Sequence, residues 1–179
     1  MTDAPMPTLR TPRLVLRPFR LDDAPAVQRL AGEREVAANT LTVPHPYPDG
    51  AAEEWIATHA AGWAAKDVLT LAVTTPGDDV LVGAVGLALA MADRRAELGY
   101  WIGTPWWNLG YATEASRAII DFGFTSLGLH RIMARHMARN PASGRVMQKL
   151  GMQREGVLRE HTLKWGVFED LVVYAVLSE

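Results

Sequence analysis

The stretch "YWIGTPWWNLGYATEAS", Tyr100 to Ser116, decides how this chain is read. Tyr100, Trp101 and Ile102 end an aromatic and β-branched run, Pro105 breaks it, and beyond Gly110 the apolar spacing becomes that of a helix. Strand, turn and helix start thus follow one another directly. Gly110 has no Cβ and leaves the backbone bare where the helix opens. The first N–H groups of a helix have no partner within it, and they sit at the positive end of its dipole, so such a turn attracts anions.

Two well-known phosphate-binding turns do not fit. A P-loop needs Lys and then Ser or Thr after its last glycine, and Tyr111 and Ala112 stand there instead. A dinucleotide fingerprint needs three spaced glycines after the first strand of a parallel unit, and only Gly103 and Gly110 are near. What remains is strand, short turn, Gly-x-Ala, helix. An ordinary strand-to-helix connection that binds nothing stays open at this point.

Working outward, "RLVLRPF" (Arg13 to Phe19) alternates as a strand, and "DDAPAVQRLAGE" follows as a helix with Asp22 or Asp23 as N-cap and Pro25 in its first turn. "TVPHPYPDG" is a loop because of Pro44, Pro46 and Pro48. In the next helix, "AAEEWIATHAAGWAAKD", Trp55, His59 and Trp63 form one stripe. Strands are expected at Val68–Thr75 and Val80–Ala90 around the turn Pro76–Asp79, and again at Glu97–Gly103. A helix from Gly110 to Leu127 presents Ala115, Ala118, Ile119 and Phe122 on one face. "HRIMARHMA" reads as a strand with Ile132, Ala134 and Ala138 on one side. Asn140 and Pro141 open a short helix that Gly151 stops, and strands at Met152–Lys164 and Phe168–Leu177 turn at Trp165-Gly166. The order gives a single mixed α/β (α+β) domain, residues 1–179, with a mostly antiparallel sheet of about seven strands flanked by helices.

With 179 residues and 49% hydrophobic content, the chain can bury one core. The absence of cysteine removes disulfides, thiolate nucleophiles and Cys-based metal sites, and fits a reducing compartment. No signal peptide is read, and "VLVGAVGLALAMA" is too short and too Gly-broken to cross a bilayer, so the expected setting is the cytoplasm, away from membranes. The net charge of −2 hides a basic half: Arg131, Arg135, Arg139, Arg145, Lys149, Arg154, Arg159 and Lys164 face only Glu155 and Glu160 between positions 130 and 164. Such a field recruits a polyanion or is simply a solvated surface. Nucleic acid is disfavoured, because basic residues are not adjacent or interleaved with aromatics. His130 and His136 share a strand face without a third ligand at suitable spacing, so no metal is expected.

The Gly-x-Ala turn resembles the acyl-CoA loop of the GNAT acetyltransferases, whose pattern is Gln/Arg-x-x-Gly-x-Gly/Ala. Gly110 and Ala112 match, while Trp107 takes the first position. "ARNPASGRVMQKLGM" (Ala138 to Met152) is similar to the family's second CoA segment. "TPRLVLRPFRLDDA", "AELGYWI" with "GYATEA", and "EGVLREH" with "DLVVYAVL" are similar to its RimJ/RimL-like branch, the ribosomal-protein-alanine N-acetyltransferase-like group. The resemblance spans nearly the whole chain. It implies a GNAT-like acyl-CoA N-acyltransferase fold and transfer of acetyl from acetyl-CoA, a co-substrate, to the primary amine of a peptide N-terminus or a small molecule. It also implies direct attack in a ternary complex. A catalytically idle acyl-CoA-binding module is the alternative, and a homodimer is one expected assembly.

The same resemblance distributes roles. Leu109, Gly110, Tyr111, Ala112 and Thr113 would hold the CoA diphosphate, and the main chain of Tyr100, Trp101 and Ile102 would align the pantetheine and face the oxyanion. Ser143 would meet the departing sulfur and Asn140 a CoA amide, although both also suit the capping of a helix. Glu97 and Glu160 are the candidate bases, each with an exposed strand carboxylate as the alternative. Trp55 and Trp63 are candidate acceptor-side residues, or else helix core. Trp106 and Trp107 are read as scaffold of the loop.

Overall fold

A computed structural model describes residues 5–178. The chain forms β1 (Leu9–Arg10), β2 (Val15–Arg17), α1 (Ala24–Ala31), α2 (Arg34–Ala38), α3 (Ala51–Ala64), β3 (Val68–Thr74), β4 (Leu81–Ala90), β5 (Arg95–Ile102), α4 (Tyr111–Thr125), β6 (Arg131–Met137), α5 (Pro141–Lys149), β7 (Gln153–Lys164) and β8 (Val167–Leu177). The strands make one eight-stranded sheet in the order β1-β2-β3-β4-β5-β6-β8-β7. Every neighbouring pair is antiparallel except β5 and β6.

Alternation along the strands feeds two cores. Leu69, Leu71 and Val73 of β3, Val85 and Leu87 of β4, and Ala96 and Leu98 of β5 pack with Ala115, Ile119 and Met147 of α4 and α5. From the other face Ala72, Ala84 and Trp101 meet Val27, Leu30, Val36 and Ile56 of α1 to α3. Helices thus cover both faces of the sheet, the arrangement that lets strands carry apolar residues on both sides.

Several elements differ from the sequence reading. The first helix begins as a 3₁₀ turn at Leu21–Asp23, and Asp23 accepts from the Arg20 N–H (2.7 Å) instead of capping α1 with its side chain. Gly32 closes α1, and α2 follows as a separate short helix that no periodicity announces. On β6 the inward residues are Ile132, Ala134 and His136, while Ala138 lies beyond the strand and is exposed. The eighth strand is β1, only two residues long. At the β7–β8 turn both Trp165 (φ 50°) and Gly166 (φ 82°) are left-handed, as a tight hairpin turn requires.

The parallel pair creates the functional opening. β5 and β6 pair from Arg95↔Arg131 to Leu98↔Ala134 and no further. Beyond that point β5 stays with β4 as far as Ile102, and β6 stays with β8 as far as Met137. The facing edges of Gly99–Ile102 and Arg135–Met137 therefore diverge, leaving backbone groups without ladder partners at the centre of the sheet.

Candidate active site

Two cavities meet at this divergence. Asn39, Thr40, Tyr100, Trp101 and Ser143 line both, so they form the wall between them. The first has a volume of ≈ 450 Å³ and is bounded by the end of β5, the turn before α4 and one side of α5. The second, of ≈ 430 Å³, opens on the opposite side between β3, β4, β5, β6 and the segment Asn39–Val43.

In the first cavity the α4 helix start is laid open. Gly110 is its N-cap at φ 82°, with no side-chain cap, and Gly110 to Thr113 line the space. Arg13 braces this turn from behind: its guanidinium bonds the Leu109 carbonyl (2.9 Å) and pairs with Glu114 (2.6 Å) in the first helical turn. Burial by itself would raise the Glu114 carboxyl, but hydrogen bonds from Thr11 and Arg13 outweigh it and hold its pKa below the usual range. The Trp107 indole N–H donates to the Ile102 carbonyl (2.6 Å), tying the turn to the end of β5, and the ring remains 39% exposed at the cavity. Trp106 packs against both cores. The charged lining residues are Arg139, Arg145 and Lys149, all cations. Arg145 and Lys149 stand one turn apart on α5, so they share a face. Arg139 is paired with Glu169 (2.6 Å), so the open helix N–H groups stand with Arg145 and Lys149 as the cations that can hold a polyanion.

Ser143 is placed by local chemistry. The Asn140 side chain accepts from the Ser143 N–H (3.3 Å) and Pro141 starts α5, the capped helix start expected from "NPAS". Gly144 then lies against the buried His136 ring. A Cβ there would come within 2.8 Å of Nε2, so the helix approaches β6 this closely only with glycine. His136 Nδ1 donates to the Met137 carbonyl (2.9 Å), and Nε2 has no hydrogen-bond partner among the described residues. The Ser143 hydroxyl meets the Tyr100 hydroxyl at 2.7 Å. Burial pushes the Tyr100 phenol up to about 12 despite that hydrogen bond, so it stays protonated near neutral pH.

In the second cavity the charged lining residues are Glu97 and Arg135. Arg135 grips both carboxylate oxygens, Nε to Oε1 at 2.8 Å and Nη2 to Oε2 at 2.9 Å, across the two strands where their ladder ends. The remaining wall is largely apolar, with Trp55, Leu41, Val43 and Leu87 among it.

Most residues singled out from the sequence are gathered here. Tyr100, Trp101, Ile102, Gly110, Tyr111, Ala112, Thr113, Asn140 and Ser143 line the first cavity, and Glu97 and Trp55 the second. Leu109 projects outward, 48% exposed, and contributes only its carbonyl to Arg13. Glu160 lines neither cavity. It sits in an irregular part of β7 at φ 47°, its N–H bonded to Asp170 (2.8 Å). Trp63 packs against the core, outside both cavities. His59 is buried between Trp55 and Phe19 (ring centroids 4.5 and 5.3 Å). Among the described residues no group of three or more His, Cys, Asp or Glu could hold a metal ion. No helix of the described residues is long and apolar enough to cross a membrane.

Arg145, Lys149, Arg135 and the segment Asn39–Val43 were not singled out as site residues from sequence. The four-residue spacing of Arg145 and Lys149 on the helix of Ser143 was a usable signal. The pairing of Glu97 with Arg135, 38 positions apart, left none.

Residues 13–153 match the family model described as an acetyltransferase (GNAT) domain. The chain is 34% identical over 173 residues to the "Uncharacterized N-acetyltransferase YoaA" of Bacillus subtilis, covering 96% of this chain and 97% of that one. It is similar, at 37% identity over 81 residues (45% and 42% of the two chains), to the ribosomal protein uS5-alanine N-acetyltransferase of Escherichia coli. Among solved structures, Mycobacterium smegmatis RimJ in complex with CoA-disulfide superposes with a TM-score of 0.84 at 26% identity, covering 96% of this chain and 86% of that one.

Proposed function

As the chain belongs to the GNAT acetyltransferase family and is an N-acetyltransferase, we propose that it binds acetyl-CoA in the cationic cavity and a primary amine in the other. Acetyl then passes between them at Tyr100 and Ser143. The observation that carries this reading is the shared wall: one cavity presents an open helix start with Arg145 and Lys149, the other an ion-paired carboxylate and apolar residues, and the two meet at Tyr100, Trp101, Ser143 and the Asn39–Thr40 segment.

Gly110 to Thr113 would receive the diphosphate on backbone N–H groups, with Arg145 and Lys149 supplying charge for phosphate. The family's Gln or Arg is absent at Trp107, but backbone contacts do not need that side chain, and Arg13 holds the turn in shape. The main chain of Tyr100 to Ile102 would align the pantetheine and offer an N–H to the oxyanion. The amine must be neutral to attack, since an α-amino group has a pKa of about 8 and lysine about 10.4. Its nitrogen bonds to the thioester carbon, the C–S bond breaks, and the proton lost by nitrogen leaves to water. Ser143 would donate its hydroxyl hydrogen bond to the departing thiolate. Tyr100 would donate to Ser143 Oγ and so turn that hydroxyl toward the sulfur. Glu97, with both oxygens engaged by Arg135, holds the strands and shapes the acceptor side, while Glu160 lines neither cavity.

The test is a screen of N-terminal peptides, amino acids, polyamines and aminoglycosides for CoA release. Release with at least one amine is expected; none, with acetyl-CoA bound, would leave an idle binding module. Binding is read separately. At 100 times its Kd, acetyl-CoA adds roughly 2.7 kcal/mol to stability, a rise in Tm of about 5–10 °C for a domain of this size. No shift at millimolar acetyl-CoA would sink the assignment of the cationic cavity.

The Tyr100–Ser143 pair has its own test. Ser143→Ala and Tyr100→Phe are each expected to lower kcat by roughly tenfold with little change in KM for acetyl-CoA, because they act only on the departing group. The double variant should be no slower than Ser143→Ala, since residues acting through one contact are not additive. Fully additive losses would separate Tyr100 from Ser143.

A further inference from the structure

We infer that Arg135 sets the charge class of acceptor this enzyme admits: by cancelling Glu97 it keeps the acceptor cavity neutral, so that the site takes monoamines and excludes polycations. The inference rests on the proposal that the Glu97 cavity receives the amine.

The charge inventory of that cavity is short. Among the described residues, Glu97 and Arg135 are its only lining carboxylate and Lys or Arg side chain, with His136 as its one imidazole, and the first two form a two-armed ion pair at 2.8 and 2.9 Å. Their side chains are 33% and 24% exposed, so the pair sits in a partly desolvated wall where an unbalanced charge acts over a longer distance than in water. Paired, the two leave only a local dipole. A monoamine that has shed its proton to attack brings no charge into the cavity and meets apolar walls such as Leu41, Val43 and Trp55. A polyamine keeps a second ammonium after the first has lost its proton. That ammonium would have to leave water without a free carboxylate to receive it, and it would meet the guanidinium instead. Any carboxylate able to accept it is already taken.

The geometry also says what each substitution does. Without Arg135, Glu97 is a bare carboxylate in the acceptor wall and becomes a partner for a second ammonium. Without Glu97, the bare guanidinium repels cations more strongly. Loss of a merely structural strand clamp would slow all amines alike, whichever partner is removed.

The test compares n-pentylamine with cadaverine, which match in chain length and differ by one ammonium, using CoA release as the readout. The wild type should favour pentylamine at least tenfold in kcat/KM. Arg135→Met should move the ratio at least tenfold toward cadaverine, Glu97→Gln should move it away, and the double neutral variant should return it to the wild-type value. Arg135→Lys, which keeps the charge without the fork, should hold the wild-type preference. If Arg135→Met fails to fold, the opposite shift in Glu97→Gln carries the test. Equal rates for the two amines in the wild type, shifts of one sign in both single variants, or a double variant that does not return would overturn the inference. So would turnover of peptides or amino acids by a wild type that rejects pentylamine. Failure to release CoA with any amine would instead strike the proposed function on which the inference stands.

Discussion

Gly110→Val is expected to raise the Kd and KM for acetyl-CoA by a hundredfold or more while the protein still folds. Two effects act at the same atom. Gly110 caps α4 at φ 82°, in the left-handed region, where an L-residue is strained and a β-branched one most of all. A Cβ would also stand 3.4 Å from Arg13 Nη2, against the guanidinium that holds the turn through the Leu109 carbonyl. Either the backbone rotates or the branched side chain displaces the Arg13 brace, and in both cases the N–H groups lose their common aim. Charge-assisted hydrogen bonds lost from a diphosphate are worth about 1.5–3 kcal/mol each, so losing one or two gives the stated factor. The fold should survive, because the turn is exposed and α4 is anchored through Ala115 and Ile119 in the core. Thermal melting without ligand and titration with acetyl-CoA separate the two effects. An unchanged KM would place the diphosphate elsewhere.

That Gly110 could be chosen from the sequence shows what was legible there. Local chemistry wrote the β5-turn-α4 unit, the Asn140 cap with Pro141, and the hairpin at Trp165-Gly166, since each rests on neighbours within a few residues. Such units supply Tyr100, Trp101, Ile102, Gly110 to Thr113, Asn140 and Ser143 of the cationic cavity, all named in advance, but not its Asn39–Thr40 segment or the cations Arg139, Arg145 and Lys149. The lining of the Glu97 cavity was mostly not named. Its walls come from the Asn39–Val43 segment, from β3 and β4, and from Arg135 across the divergence, and they meet only once the sheet order is set. The point where β5 and β6 part is a property of register between strands some 30 residues apart, which no period within either strand records. Glu97 was read as a candidate base without its partner Arg135 for that reason, and Glu160 was placed near the acceptor by likeness alone; it lies in an irregular part of β7 and lines neither cavity. The short α2 went unread because five residues hold too few turns to show a period.

The largest loss of stability should come from Asp23→Ala, far from either cavity wall. Asp23 and Arg17 are almost fully buried, with side chains 10% and 8% exposed, and join by two hydrogen bonds of 2.8 and 2.9 Å. Asp23 also receives the Arg20 N–H at 2.7 Å, which closes the 3₁₀ turn leading into α1. Replacing such a pair by apolar groups is often neutral, but removing one partner leaves a buried charge uncompensated at a cost of about 3–5 kcal/mol. Asp79 still holds Arg17 Nε at 2.8 Å, yet it is 40% exposed and cannot reach the nitrogens that Asp23 served by the same geometry. A drop in Tm of roughly 10 °C is expected at neutral pH. Replacing both, Arg17→Met with Asp23→Leu, should recover most of it, and no recovery would show that the cap at Arg20 is what matters. Acid supplies the second check. Burial alone would push the Asp23 carboxyl up, but hydrogen bonds from Arg17 and Arg20 outweigh it, so its folded pKa lies below the unfolded value. Its stabilisation is therefore present above about pH 4, the unfolded carboxylate value, and lost as pH falls through the folded pKa. His59 acts earlier. Burial lowers it to about 4, so between roughly pH 6.5 and 4 the unfolded chain binds a proton that the folded one refuses, and stability falls as pH falls. Asp23→Ala should keep the His59 limb and lose the lower one. A lower limb that persists would assign it to other carboxylates. The consequence reaches the site through α1: Leu30 packs with Val36 of α2, and α2 carries the Asn39–Thr40 segment that lines both cavities, so a loosened Arg17–Asp23 pair should weaken acceptor and acetyl-CoA binding together.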